Sequence, residues 1–585
     1  MSLSLALQSA LSGISLNQQI ISTVSSNVAN ANTLGYTRKT LGQASRVLGN
    51  QGAGVNALQV QRSVSDTLIR DLRKEATLMG NLAARNNIFS RTQEFFGTPG
   101  ENRGVNAKVN LLSDAFAALG VTPQDSVAQL GMINNAEELS RNIRRMVQDA
   151  QTLRSDADRE INDAVDRINE LLGQIKTSND DIAAGLARNQ SIAEFEDRRD
   201  TQVAELSGLV NINSYTDDLG RLNINIQGVT VLDSDVRPLS YDPQINVSTN
   251  STFNPIMVGT IDITSNINGG ALKGYLDVRD VDLPNMTAEI DALARMLHEE
   301  VNAAHNLGTA FPPPQTLTGA TLGFAAGDAF NATGSIRIAI TDASGDLVNN
   351  MDFDLATLAP ATVGQLVTEI NAALGPGTAS LGAGGELILD GGAGNGIGIA
   401  EITPVAIAGS TRGFSHFFGM NNFFSANEAA VNPGEFAQSF NVESYLTTDP
   451  NRFARGTLST AVPVVAGDNM LAIGDGNNAE AMSAVFTQNF TFPAAGDLSS
   501  ITRTLTDYAG SIINNASNKS ALAESDAQIQ AGIVEGIQFK MGAISGVNLD
   551  QELGELIIYE QAYNGSAQIV RTVTEMFEEI QNLVT

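Results

Sequence analysis

The first 37 residues contain no Asp, Glu, Lys or Arg, and that absence limits what the chain can fold into. An ordinary surface helix keeps charges on its wet face, but this segment offers only Ser, Gln, Asn and Thr there. Burying an unpaired charge costs on the order of several kcal/mol, whereas an amide or hydroxyl can find hydrogen bonds between packed surfaces. The segment is therefore suited to burial on all sides. Leu3, Leu7, Ala10, Ile14, Asn17, Ile21, Val24 and Val28 follow a heptad spacing, a seam with one polar position. A run of asparagines and then Gly35 predict the end of this helix before Tyr36.

The other end carries a matching seam. Leu549, Leu553, Leu556, Glu560, Tyr563, Ala567, Val570, Thr574, Phe577, Gln581 and Val584 keep the heptad, and Val573 and Ile580 widen it. Asn548 with Gln551 has the form of a capping box, Asn replacing Ser or Thr. The helix it starts is roughly 54 Å long at about 1.5 Å per residue. Each terminal helix has an apolar stripe and no neighbour in sequence to cover it, since a lone helix cannot bury its own face. The two are expected to pack on each other as a coiled-coil-like pair, so that the chain leaves and returns through one end of the molecule.

A third seam runs from Met132 through Leu139, Met146, Leu153, Ile161 and Ile168 to Ile175, with one stutter near Ala157. It predicts a charged helix of roughly 65–75 Å, with a second helix over 192–209 doubling back on it. Alternation at Leu222, Ile224 and Ile226 predicts hairpins over 210–276. A helix over 285–306 follows, then Pro312, Pro313 and Pro314 as a stiff linker. The region 315–430, rich in Gly, Thr and Ala, predicts strands near 335–341 and 386–389 and a helix over 363–374. Helical signals return over 498–542. The fold class expected is mainly α with inserted β-rich domains: paired terminal helices, a long helical bundle and an outer β-rich domain. The expected division is 1–36 with 546–585 as the terminal-helix domain, 37–310 with 431–545 as the helical domain (a small β meander near 210–276), and 311–430 as the insertion.

Composition excludes several kinds of function. Acidic residues number 64 against 34 basic, a net charge of −30 that repels phosphate backbones and anionic lipid, so no nucleic acid or membrane partner is expected. Cysteine is absent, which removes disulfides, thiolate metal sites and cysteine nucleophiles. The start lacks the basic residues and unbroken apolar stretch of a Sec signal, so export would need another machine. His298 and Glu299 open like a zinc-protease motif, but the next histidine, His305, is two helical turns away, too far to share one ion. His416 is read as a packed or surface histidine. The glycine run 391–396 lacks the Asp of a calcium-binding repeat and reads as a turn. Glu194, Glu196, Asp197 and Asp200 are read as a solvated helix face. No catalytic residue, metal site or cofactor is expected.

Asn27, Asn30, Asn32, Gly35 and Tyr36, within 26–36, resemble the N-terminal signature of the flagellar rod, hook and hook-associated proteins. Leu34 stands where many members have Pro. Gly546, Asn548, Leu549 and Asp550, with Tyr559 and Ala562 downstream, resemble the C-terminal signature of the same axial family. Two internal stretches, 195–210 around Asp197 and 413–421 around His416, resemble segments of the hook-associated protein 1 (FlgK) family within it. The resemblance implies a secreted, non-enzymatic structural subunit of the bacterial flagellum at the hook–filament junction, cytoplasmic before export through the flagellar type III channel. The partners it implies are copies of the chain, hook protein, the second hook-associated junction protein and a cytoplasmic export chaperone on the C-terminal helix. The terminal helices would form an inner tube with the insertion outward. On that reading Leu7, Ile14, Ile21, Val28, Leu553, Leu556, Tyr563, Val570 and Phe577 are the expected subunit-packing residues. Rival readings are hook protein or another hook-associated subunit, separable by labelling along the hook or at its tip. An exported hydrolase, detectable by zymography, and an adhesive insertion, detectable by loss of attachment on its deletion, are the others.

Overall fold

The computed structural model describes residues 3–33, 35–48, 51–96, 104–407, 410 and 412–584. Leu34, the departure from the N-terminal signature, lies outside them. The charge-free seam forms α1 (Leu3–Ala29), and a two-stranded hairpin follows, β1 (Lys39–Leu48) and β2 (Gln51–Arg62). The last two helices, α13 (Leu505–Ser545) and α14 (Leu549–Val584), close the chain. α14 packs along α1, and α1 also rests on the hairpin. The two helices approach closely at Gly13, where an added Cβ would sit 3.2 Å from Ser566 Oγ.

The helical body is built on α2 (Asp66–Phe96), α3 (Val105–Val121), α4 (Ser126–Ala187) and α5 (Ala193–Leu209). All the seam residues expected on the long helix, from Met132 to Ile175, are buried. The helix is longer than expected, 62 residues, or roughly 93 Å. Asp125 caps its start, accepting from the amides of Val127 and Ala128 at 2.9 and 3.3 Å. α5 folds back on it.

The meander is two small antiparallel sheets, β3 (Asn213–Thr216), β4 (Leu222–Ile226) and β5 (Val229–Leu232), then β6 (Leu239–Ser240), β7 (Met257–Val258) and β8 (Ile261–Asp262). α6 (Gly270–Asp277) and α7 (Leu283–Asn306) complete the body's first half. The alternating residues Leu222, Ile224 and Ile226 all point into the body's core, the two isoleucines fully buried.

The insertion has its own core. Two antiparallel sheets, ordered β11-β10-β14 and β12-β13-β9, enclose α8 (Val363–Leu374). Their strands are β9 (Thr316–Thr318), β10 (Ala332–Thr341), β11 (Leu347–Asp354), β12 (Ala379–Leu381), β13 (Leu387–Asp390) and β14 (Gly396–Ile407). Ile336, Ile338, Leu366, Ile370, Leu389 and Ile399 meet there. Pro312 to Pro314 is no free spacer: Pro313 is buried and the Pro314 carbonyl accepts from the Ile397 amide at 2.8 Å. Residues 456–471 also pack on this body. Leu458 and Met470 share a small core with Ala339 and Leu347, and the fully buried Arg337 donates to the carbonyls of Ser459 and Ala461.

The return path carries α9 (Phe414–Phe418), β15 (Phe424–Ser425), α10 (Glu435–Ser439), β16 (Asn441–Val442), α11 (Ser444–Thr448), α12 (Asn477–Val485), β17 (Phe490–Phe492) and β18 (Ile501–Arg503). α13 then packs along α2 on its way back to the terminal pair.

Candidate assembly surface

The terminal helices meet along a seam turned by one residue from the apolar pattern. Ala10, Asn17 and Val24 are buried as spaced, but Ile20 and Asn27 lie inside, while Ile14, Ile21 and Val28 sit on the flank, partly buried, as does Leu7. Leu16, Ile20 and Val24 form a small core with Leu41 and Val55 of the hairpin and Leu556 and Tyr559 of α14. Tyr563 and Val570 are partly buried, and Val573 is buried. Leu553 and Phe577 are largely exposed, at 48% and 40%.

The rotation follows from Asn27. Its amide donates to the Lys39 carbonyl at 2.9 Å and to Glu552 Oε2 at 2.8 Å, and its Oδ1 accepts from the Lys39 amide and the Tyr36 hydroxyl, both at 3.0 Å. A buried side chain with every polar atom matched is held as firmly as an apolar one, and it displaces Val28 to the flank.

Around Asn27 the two signatures come together. Glu552, fully buried, takes Arg38 Nε at 2.6 Å on its other oxygen, and Glu555 takes Arg38 Nη2 at 2.7 Å. Burial alone would lower the Arg38 pKa, but the two carboxylates outweigh it and raise it. The chain turns from α13 into α14 through Gly546, Val547 and Asn548, and Asn548 Oδ1 caps α14 by accepting from the amides of Asp550 and Gln551. Gln551 turns to Glu555 (3.2 Å). The Arg38 amide donates to the Ser545 carbonyl at 2.7 Å, tying the hairpin to this turn. Gly35 has φ +79°, and a Cβ there would collide with Thr201 Oγ1. Asn30 reaches back to the Ser26 carbonyl at 3.0 Å, closing α1, while Asn32, Leu549, Asp550 and Ala562 are exposed.

The second lock corrects the reading of the α5 carboxylates as a solvated face for all but Glu194, which is 59% exposed. Asp197 is buried and receives four donors: the Thr37 amide (3.1 Å), the Thr37 hydroxyl (2.7 Å), Lys39 Nζ (2.9 Å) and Arg62 Nη1 (2.9 Å). Arg62 also reaches Asp200 at 2.8 Å and Glu196 at 3.0 Å, and Arg73 reaches Asp200 at 3.0 Å. Lys39 Nζ stands 3.4 Å above the Tyr36 ring. These carboxylates belong to a helix face only until the hairpin brings its cations to them. The hairpin itself was invisible to periodicity, and nothing in the heptad singles out Asp197.

Among the described residues no group of three His, Asp or Glu could hold a metal ion, and no helix is long and apolar enough to cross a membrane. His305 is wholly buried and His298 and His416 nearly so. The glycine run forms the turn from β13 into β14, with the Gly392 amide on Asp390 Oδ1. The 413–421 stretch joins the insertion to α7: Phe414 and Phe418 enter the insertion core, and Ser415 and Asn421 bond Asn306.

Residues 89–320 match the flagellar hook-associated protein FlgK helical domain, residues 7–37 the flagella basal body rod protein, and residues 542–583 the C-terminal region of the flagellar basal body rod FlgEFG proteins. The chain is 25% identical to flagellar hook-associated protein 1 of Escherichia coli (strain K12), over 99% of each chain. It is 24% identical to that of Salmonella typhimurium, over 98% of this chain and 99% of the relative. The structure of the flagellar hook junction protein FlgK from Burkholderia pseudomallei is 18% identical, with a TM-score of 0.46 over 81% of this chain and 100% of that one. Both chain ends and the helical body thus match models of one class, the axial structural proteins of the flagellum, which are not enzymes. Within that class the chain is similar along its whole length to flagellar hook-associated protein 1.

Proposed function

We propose that the chain is a structural subunit of the flagellum, built into the junction between hook and filament, where its terminal helices pack against those of neighbouring copies. The observation that carries this is apolar surface left over after the two helices pair. On α14, Leu549, Leu553, Ile557, Ile558, Ile569, Met576, Phe577 and Ile580 are 40% to 63% exposed. Water-facing apolar residues in such number along one helix mark a surface that a partner covers. The exposed polar residues of α1 carry no charge, so copies can be stacked against that helix without stranding an ion.

On this reading Leu7, Ile14, Ile21 and Val28 on the α1 flank, with Leu553, Tyr563, Val570 and Phe577 on α14, meet adjacent subunits, while Leu556 packs inside the pair. The pair forms the inner tube, the helical body surrounds it and the insertion faces outward. Other members of the hook and filament flank the zone, and a cytoplasmic chaperone covers α14 before export. The test is a deletion strain complemented in trans. Hooks that bear no filament and shed flagellin without the gene, with filaments restored by it, support the reading; filaments growing normally in its absence exclude it.

A further inference from the structure

The chain has three histidines, and all three lie where the insertion joins the helical body. His298 and His305 occupy the second half of α7, and His416 lies on α9 beside it. The backbone crosses between the two bodies after α7, again at 412–424, and again near 454–457.

His305 fastens two of these crossings. Its ring is wholly buried, edge-on to Phe423 at 5.4 Å and stacked on Phe453 at 5.2 Å. The Ala454 amide can only donate, so Nε2, 2.9 Å away, is an acceptor. The ring proton is then on Nδ1, which donates to the Asn421 carbonyl at 2.5 Å. A second proton has one place to go, Nε2, where it would oppose the Ala454 N–H and turn a hydrogen bond into a clash of donors. Thr309 and Gly456 exchange backbone bonds beside it, and Asn478 of α12 holds the Ala454 carbonyl.

Among the described residues nothing in contact with the ring offers an anion to compensate such a charge. Segment 453–455 brings Arg455, segment 419–424 brings no charged residue, and α3 faces it with Phe116 through the Phe423 and Phe453 rings. One turn or two away, His298 Nε2 is 4.0 Å from Glu428 and His416 Nε2 is 3.9 Å from Glu299, which Arg412 already holds through both oxygens. Arg295 completes the charged groups there. Burial pushes His298 and His305 down to about 4 and lowers His416.

We propose that this junction is an acid-releasable mount: a proton taken from solvent at His305 Nε2 breaks the bond to Ala454 and frees the insertion from the end of α7, while the helical body stays folded. The sign is that of a histidine held neutral in the fold. The closed form is fully favoured above the ordinary histidine range, near 6.5, and is lost as pH falls through the window toward 4.

Hydrogen exchange on the full chain, from about pH 7 to about pH 4 with times scaled for intrinsic exchange, tests this. Peptides covering 419–422 and 454–456 should lose protection by up to about tenfold per pH unit across that window, while 139–168 of α4 hold theirs. His305→Gln can still donate to Asn421 and accept from Ala454 but cannot titrate, and it should keep the mount protected at low pH. Should that variant fail to fold, the ring nitrogen shifts of His305 in the unaltered chain decide. Protonation coinciding with lost protection at 454–456 upholds the mount. Protonation with protection intact, acid opening that persists in H305Q, or α4 opening together with the mount overturns it.

Discussion

Asn27 and Asp197 are both polar, both buried, and both satisfied by hydrogen-bond partners on other elements, which is why apolar spacing misplaces them. A seam drawn from hydrophobic residues puts Val28 inside; four hydrogen bonds put Asn27 there instead. Asn27→Ala would strand the Lys39 amide and one oxygen of Glu552, at a cost of about 2–4 kcal/mol, read as lost exchange protection of the Lys39 amide. Glu289 on α7 is a second case. It accepts from Asn515 at 2.6 Å and from the Asp497 amide at 3.1 Å, while its other oxygen has no hydrogen-bond partner among the described residues. Burial, aided by Asp497, pushes it up to about 7. The fold therefore holds a proton that the unfolded chain releases, and stability should fall as pH rises from about 4.5 to about 7, by up to roughly 3 kcal/mol. Glu289→Gln should flatten that decline in a series of melting temperatures against pH.

At the scale of elements, the long helix was legible because an amphipathic stripe buried on one side repeats faithfully, and every seam residue named on α4 is inside. The hairpin β1–β2 was not legible. Only Leu41 and Val55 of it pack into the small core with α1, too few apolar positions to set up an alternating pattern. The terminal pair separates two kinds of substitution. Ile20→Asp should melt the pair, costing about 3–5 kcal/mol, as lost helicity at 222 nm. Phe577→Asp, at a largely exposed position, should leave helicity unchanged yet stop incorporation into hooks, as should Ile14→Asp on the flank. Because α1 and α14 have little beyond each other and the hairpin to rest on, limited proteolysis of the isolated chain should trim roughly the first and last 40 residues before the body is cut.

At the scale of the molecule, the insertion was recognisable from its Gly-rich composition and short strands, but its edges were not. The segment 456–471 reaches it across α10 and α11 in sequence, held by Arg337 and by backbone bonds such as Leu347 to Asp468 at 2.8 Å. At the other edge, Phe423 and Phe424 already belong to the core of the helical body. Removing 311–430 would strip those two rings from the body and leave Leu458 and Met470 bare, and should give an aggregating protein by light scattering. Joining residue 308 to 421, and 457 to 474, removes both parts of the insertion and keeps the body's own residues. That chain should be soluble and still support filament growth. The joint between terminal pair and body has a mechanical consequence. Arg62 stands within reach of Glu196, Asp197 and Asp200 at once, so a twist of the shaft that pulls it from one carboxylate delivers it to the next. A spinning flagellum would load that joint in alternating directions, and a cation with spare seats can slip and reseat where a tightly packed apolar contact would have to tear.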